Sequence, residues 1–325
     1  MSCASAPPAA GPLRVSPDNP RFDLSRHDPA YFDRLRQRVA RAGERGIYVS
    51  IMLFEGHGLH ASEAPWCWDG HPMNVHNNVN ESGAYSTTWQ YHLIDFIHAR
   101  ERTLPSQHPV GMTFQYCGDR AQRGTNATLF ASPADWISPN PEGGYTDDPP
   151  PADGSKVIFT DTDHLWGIGG NHGWVWKSFC RGLNPLFMDP CSPPIESRGP
   201  AGQTSPWTDH LTGLSRLDPQ WDPLRHALGQ TRRLAERMDL RRAVPHGELA
   251  STGYCLADPG TEYAVYLPVG GVVTVDLSAA RGRLRAEWID PTGGEALAAT
   301  VEGGARRTLR SPAAGDVALY LRAER

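Results

Sequence analysis

The segment Gly46-Ile-Tyr-Val-Ser-Ile-Met-Leu-Phe54 constrains the fold more than any other. Its apolar residues run almost without alternation. That is the pattern of a strand buried on both faces, as in a parallel sheet. The stretch before it, Asp28 to Gly43, has helical periodicity. Tyr31, Phe32, Leu35 and Val39 share one face, and Arg and Gln residues take the other. Asp28 suits the N-cap, Pro29 suits the first helical position, and Gly43 and Gly46 end the helix. Helix, short loop and buried strand together make the repeat of an α/β fold.

The unit recurs along the chain. Thr88–Arg100 reads as a helix and Val110–Tyr116 as the next strand. Asp135–Ser138 and Lys156–Asp161 are further strands, followed by a Trp-rich helix near Gly173–Cys180. Leu183–Asp189 is a strand and Trp221–Arg237 an amphipathic helix. The connections are long and rich in Gly, Pro, Asn and Trp, as functional loops are. After about His246 the character changes. Tyr263–Leu267, Val272–Asp276, Leu284–Ile289 and Val317–Leu321 are short β-rich runs between turns, the pattern of a small sandwich. A chain of 325 residues has room for both parts. The expected organisation is a disordered tail over 1–20, a barrel-like α/β domain over 21–245 and a β-sandwich over 246–325. The aromatics of the last part, Tyr254, Tyr263, Tyr266, Trp288 and Tyr320, mostly fall inside strands and read as core.

Composition excludes several classes. A net charge of −5 offers no global basic field for nucleic acid. No stretch approaches 18 apolar residues, so no membrane-spanning helix is expected. The six cysteines show neither a C-x-x-C pair nor zinc-ligand spacing. Met1–Pro20 lacks the apolar region of a signal peptide. There is no Gly-x-Gly-x-x-Gly, P-loop or Gly-x-Ser-x-Gly motif, and no cofactor is expected.

Polar residues at strand ends are the first chemical signal, because ligands of parallel α/β folds meet the carboxyl ends of strands. These are Phe54-Glu55, Gln115-Tyr116, Ser138-Pro-Asn140, Asp161-Thr-Asp163-His164 and Met188-Asp189. The second signal is Asn80-Glu81, after an Asn-rich loop. An acid beside a carboxamide suits glycoside chemistry: one protonates the leaving oxygen, the other bonds a sugar hydroxyl. Asn80-Glu-Ser82 and Asn126-Ala-Thr128 also fit glycosylation sequons. His57, His60, His71 and His76 form a third group, readable as a metal site or as solvent- and sugar-facing side chains. No carboxylate or cysteine completes a metal spacing there, and no metal is assigned. Trp66, Trp68, Trp166, Trp174 and Trp176 suit sugar stacking, with core as the alternative for Trp174 and Trp176.

Longer motifs carry a resemblance. Phe22-Asp-Leu-Ser, Arg45-Gly-Ile-Tyr-Val-Ser-Ile-Met-Leu-Phe54, Asn80-Glu-Ser-Gly-Ala-Tyr-Ser86, His108-Pro-Val-Gly-Met-Thr-Phe114 and Asp161-Thr-Asp-His-Leu-Trp-Gly-Ile-Gly-Gly170 resemble bacterial TIM-barrel glycoside hydrolases of the apiosidase-like group. Gly253-Tyr-Cys-Leu-Ala and Glu262-Tyr-Ala-Val-Tyr-Leu-Pro268 resemble the domain named as collagen-binding in a collagenase, a name that does not itself imply collagen binding. The resemblance implies a (β/α)8 barrel followed by a sandwich. It also implies retaining hydrolysis of O-glycosidic bonds in plant or microbial polysaccharide. Glu81 would be the acid/base and Asp161 the nucleophile, with Asp163 as the alternative. Asn80, Gln115, Tyr116, Asp163, His164, Trp166 and Asp189 would bind substrate. The group also implies a secreted or periplasmic location.

Two departures shape the expectation. Relatives carry further residues before Phe22 and an insertion before Asn-Glu that holds most of strand four. Only 26 residues separate Phe54 from Glu81, too few for a complete βα unit and the next strand. Five barrel strands are legible, not eight, so an incomplete barrel with open edges is expected. Such edges favour self-association. The consequence is a remnant of a glycosidase with little or no activity. The second reading is a non-catalytic carbohydrate- or matrix-binding protein whose aromatic loops and C-terminal sandwich bind a glycan. A metal-dependent hydrolase built on the His57–His76 cluster is the third reading.

Overall fold

The computed structural model describes residues 12–16, 19–51, 75–79, 87–113, 126–166, 169–189, 191–192, 216–217, 219–293 and 297–324. The chain divides into two units, one of residues 1–96 with 115–125, the other of 97–114 with 126–325.

In the first unit, β1 (Pro12–Ser16) and β2 (Asn19–His27) form an antiparallel pair within and beyond the stretch expected to be a tail. Phe22 of β2 is buried and bridges to Asn78, and its carbonyl accepts from the Val79 amide at 2.9 Å. Helix α1 (Pro29–Gly43) starts as its sequence dictates. The Asp28 carboxylate accepts from the Ala30 amide at 2.9 Å, and Pro29 sits in the first turn. Gly46, at φ +69°, closes it, with the Ile47 amide donating to Ala42 at 3.0 Å.

The expected strand over Gly46–Phe54 is not found among the described residues. Ile47 to Ile51 have no strand pairing and are exposed, and 52–54 lie outside the described residues. A strand apolar on both faces needs ladder partners and layers above and below it, and no described segment supplies them.

The second unit contains a four-stranded parallel sheet. Its strands β3 (Gly111–Thr113), β4 (Trp136–Ser138), β5 (Val157–Asp161) and β6 (Asn184–Leu186) lie side by side in chain order. Helix α2 (Thr87–Glu101) precedes β3, and its last turn belongs to this unit. Between the strands come α3 (Asn126–Phe130), α4 (Thr162–Trp166) and α5 (His172–Cys180). Helix α6 (Asp222–Ala235) follows and packs on α5. Among the described residues this is part of a (β/α) barrel pattern, and β3 to β6 match four of the five expected strands.

Alternation along these strands defines two faces. Met112, Ile137, Ile158 and Thr160 point to one face and are buried. Gly111, Thr113, Trp136, Ser138, Val157, Phe159, Asp161, Asn184 and Leu186 share the other. That face is partly open, with Val157 and Leu186 about half exposed. The Trp136 ring lies across Gly111, where a Cβ would fall 1.9 Å from a ring carbon. Its edge contacts Phe159, with 5.2 Å between centroids.

The C-terminal part is an antiparallel sandwich. The short strands β7 (Cys191–Ser192) and β8 (Arg216–Leu217) pair before it. One sheet has six strands, in the order β14 (Leu297–Glu302), β13 (Arg283–Ile289), β16 (Val317–Ala323), β11 (Glu262–Leu267), β10 (Cys255–Asp258), β9 (Val244–Pro245). The other has two, β12 (Val272–Asp276) and β15 (Arg306–Arg310). Register sets the core: Tyr263, Val265 and Leu267 of β11 face Leu321, Leu319 and Val317 of β16. With Val273, Val275, Leu284 and Trp288 they fill the space between the sheets.

Strand β11 is buried along its whole length, unlike a strand with one wet face. Its outward residues Ala264 and Tyr266 meet α5. Trp176 stacks on Tyr266 at 6.1 Å and 14°, and its indole N–H donates to the Pro291 carbonyl at 3.1 Å. The Cys180 thiol approaches the Ala264 carbonyl at 3.7 Å. The Tyr266 hydroxyl donates to Asp316 at 2.7 Å, and His172 lies 3.2 Å from the same carboxylate. Burial first, then this carboxylate, push the Tyr266 hydroxyl far above the ordinary tyrosine range. Gly173 permits the approach, since a Cβ there would sit 3.1 Å from the Tyr266 oxygen.

Candidate functional site

The carboxyl ends of β4, β5 and β6 bring together three of the expected segments. Asp161 closes β5 on the partly open face and aligns with Leu186 of β6. Ser138 ends β4 on the same face. Next to it is a buried network built on two asparagines. The Asn126 amide nitrogen donates to the carbonyls of Asn140 (3.3 Å) and Glu142 (2.9 Å), and its oxygen accepts from the Asn140 amide at 3.0 Å. The Asn140 side-chain oxygen accepts from the Glu142 amide at 2.7 Å. These bonds fix the loop leaving β4. They also occupy the Asn126 amide group, so that sequon is structural here rather than an exposed acceptor.

Thr162, the residue after Asp161, is fully buried, and its hydroxyl accepts from the Met188 amide at 2.9 Å. This ties the exits of β5 and β6 together. Asp189 then receives two bonds from Arg225 of α6, Nε to Oδ2 at 2.8 Å and Nη2 to Oδ1 at 2.6 Å. Arg225 also donates to Asp222 at 2.7 Å. The Asp189 bond, with its charge and that of Asp222, outweighs burial and raises the Arg225 guanidinium pKa. Asp189 therefore sits at the expected strand end with both oxygens engaged by Arg225. The sequence reading missed Arg225; its signal is the Asp222-x-x-Arg225 spacing on one helix face.

Trp166 meets Trp174 edge to face at 5.1 Å and 90°. Trp174 and Trp176 are buried, which settles both as core. Gly169 and Gly170, the described glycines of Gly167-Ile-Gly-Gly170, have a packing role. A Cβ on Gly169 would lie 2.8 Å from Trp166, and one on Gly170 (φ +89°) 3.3 Å from Thr162 and Trp166. Asp163 and His164 lie in α4, with side chains outside the described residues. Asn80, Glu81, Gln115 and Tyr116 lie outside the described residues, as do Glu55, His57, His60, His71, Trp66 and Trp68. Among the described residues no group of three His, Cys, Asp or Glu side chains could hold a metal ion.

The opposite end of the sheet is built for stability. Asp135, just before β4, accepts from the Val110 amide at 2.7 Å and lies 2.9 Å from His98. Burial would raise this carboxyl, but the Val110 amide and His98 outweigh it and hold it low. Glu101 accepts from the His108 amide and lies against its ring, both at 2.6 Å, and these bonds lower its pKa. A cavity of about 580 Å³ lies elsewhere, against Arg237, Met238, Arg241 and Arg322, and includes no residue of the parallel sheet.

No family model matches the chain, and no curated protein sequence does either. Solved structures do. A glycoside hydrolase family 5 protein from Bacteroides vulgatus ATCC 8482 superposes with a TM-score of 0.52 at 14% identity, covering 90% of this chain and 74% of that one. A second structure, described as a glycoside hydrolase, gives 0.50 at 12% identity and covers 95% and 81%. At such identities the likeness concerns the fold alone: the chain has the TIM-barrel type of α/β architecture, with an antiparallel β region after it.

Proposed function

We propose that the chain is a glycoside hydrolase acting on O-glycosidic bonds of polysaccharide by a two-carboxylate retaining mechanism. Glu81 acts as acid/base beside Asn80, and Asp161 as nucleophile, with Asp163 as the alternative. The observation that carries this reading is the place of Asp161. It is a carboxylate at the carboxyl end of a parallel strand, on the partly open face, in a fold shared with glycoside hydrolases. In such a reaction the nucleophile attacks the anomeric carbon while the acid protonates the leaving oxygen. The acid residue then acts as base and delivers water to the glycosyl–enzyme ester. Gln115, Tyr116, His164 and Trp166 bind the sugar in this scheme. Asp189 positions rather than binds directly, because Arg225 occupies its oxygens.

The kinship to the apiosidase-like group, with its collagen-binding-like C-terminal part, belongs to the same proposal and rests on the sequence motifs. Barrel over 21–245 and sandwich over 246–325 are its domain scheme; the stretch expected as a tail over 1–20 instead holds β1 and the start of β2. The test is a panel of aryl glycosides and oligosaccharides assayed with the wild type, Glu81→Gln and Asp161→Asn. The proposal predicts turnover that either variant reduces by about 10³-fold or more. Binding of a glycan without turnover, unchanged in both variants, would replace it with the binding-protein reading. No turnover and no binding would leave an inherited fold without its chemistry.

A further inference from the structure

Ile47 to Ile51 form an exposed apolar segment next to an exposed amphipathic helix. Tyr48 is 101% exposed, Ile47 56%, Ile51 49% and Val49 44%. Among the described residues, the backbone groups of Tyr48 to Ile51 make no hydrogen bond. Helix α1 leads into the segment, and none of its residues is buried, including Tyr31, Leu35 and Val39 on its apolar stripe. An unpaired run of β-branched and aromatic residues is a template for a further strand.

The segment is complementary to itself. Ile47-x-Val49-x-Ile51 reads the same in both directions. A second copy laid antiparallel about a two-fold axis at Val49 sets Ile47 against the partner's Ile51 and Val49 against the partner's Val49, all on one face. Tyr48 meets the partner's Ser50 on the other face. No charged side chain lies within the five paired positions, so no like charges oppose the pairing. A two-fold contact needs one surface that fits itself, and this pattern supplies it.

We propose that the chain forms a weak two-fold dimer through an antiparallel ladder over Ile47–Ile51. Five residues at about 3.4 Å each give a ladder about 17 Å long. Covering it buries on the order of 300–400 Å² per partner, well below the roughly 800 Å² of a stable interface. The dimer is therefore transient.

Sedimentation velocity and site-specific cross-linking test it. From about 1 to 200 μM the wild-type sedimentation coefficient should rise, while Val49→Lys stays monomeric with an unchanged far-UV circular dichroism spectrum. Register is read by cysteines, with Cys3, Cys67, Cys117 and Cys191 changed to Ser. Facing Cα atoms in a non-hydrogen-bonded pair are about 4.5 Å apart, within disulfide range. Mild oxidation should link Val49→Cys to itself. It should not link Ile47→Cys to itself, but should link Ile47→Cys to Ile51→Cys in a mixture. A monomer at every concentration would overturn the proposal. So would a dimer that survives Val49→Lys, or self-linking of Ile47→Cys as fast as that of Val49→Cys.

Discussion

Trp176→Ala distinguishes a core tryptophan from a sugar-stacking one. The ring is fully buried, stacked on Tyr266 and edge-on to Phe179 at 6.2 Å, with its N–H on the Pro291 carbonyl. Truncating a buried tryptophan costs about 3–5 kcal/mol. Leaving the Pro291 carbonyl without its donor adds about 1 kcal/mol. With an m-value near 3 kcal/mol/M in urea, a loss of about 4–6 kcal/mol lowers the midpoint by roughly 1.3–2 M. Trp176→Phe keeps most of the buried ring and loses the N–H, so it should cost about 1–3 kcal/mol. Urea unfolding followed by far-UV circular dichroism measures both. A loss under about 1 kcal/mol in Trp176→Ala, together with weaker oligosaccharide binding, would refute the packing argument.

Gly111→Ala should destabilise by about 1–3 kcal/mol in urea unfolding, because its Cβ would meet the Trp136 ring. Trp136→Leu in the same chain should recover part of that loss. Arg225→Ala leaves Asp189 partly buried without its two donors, and should cost about 1–2 kcal/mol in thermal unfolding, while Arg225→Lys recovers less than half. Bonds from Ser278, then Arg306, hold the Asp276 carboxyl down to about 2. That is below its unfolded value of about 3.9. Its contribution is thus fully present above about pH 4 and lost as pH falls through about 2. Thermal melts of Asp276→Asn between those limits should therefore show a flatter acid limb than the wild type.

Elements specified by nearby residues were legible in the sequence. Asp28 and Pro29 announced the start of α1, and apolar runs ending in polar residues marked β4, β5 and β6. The aromatics of the C-terminal part were read as core, and Tyr263, Tyr266, Trp288 and Tyr320 are buried. What depends on a distant partner was not legible. Gly46–Phe54 has the composition of a central strand, but strand formation needs neighbours that no described segment provides. Strands β14 and β15 escaped notice because Leu297-Ala-Ala-Thr-Val-Glu302 and Arg306-Arg-Thr-Leu-Arg310 are mostly exposed or polar. Their pairing comes from β13 and β12. Trp174 and Trp176 could be assigned to the core only once α5 was seen against β11.

The site divides in the same way. Asp161 and Asp189 were legible as strand-end carboxylates because each follows an apolar run of a parallel strand. Arg225 was not, since it comes from a helix 36 residues beyond Asp189. The asparagine network around Asn126 and Asn140 was hidden too, because a sequon and a strand-end amide give no sign in sequence that they bond to each other.

The Glu81–Asp161 carboxyl separation in a crystal structure with a bound oligosaccharide tests the proposed two-carboxylate mechanism. A retaining pair should lie about 5–5.5 Å apart, with the scissile bond between the two groups. A separation beyond about 10 Å, or a sugar bound away from Asp161, would contradict the mechanism.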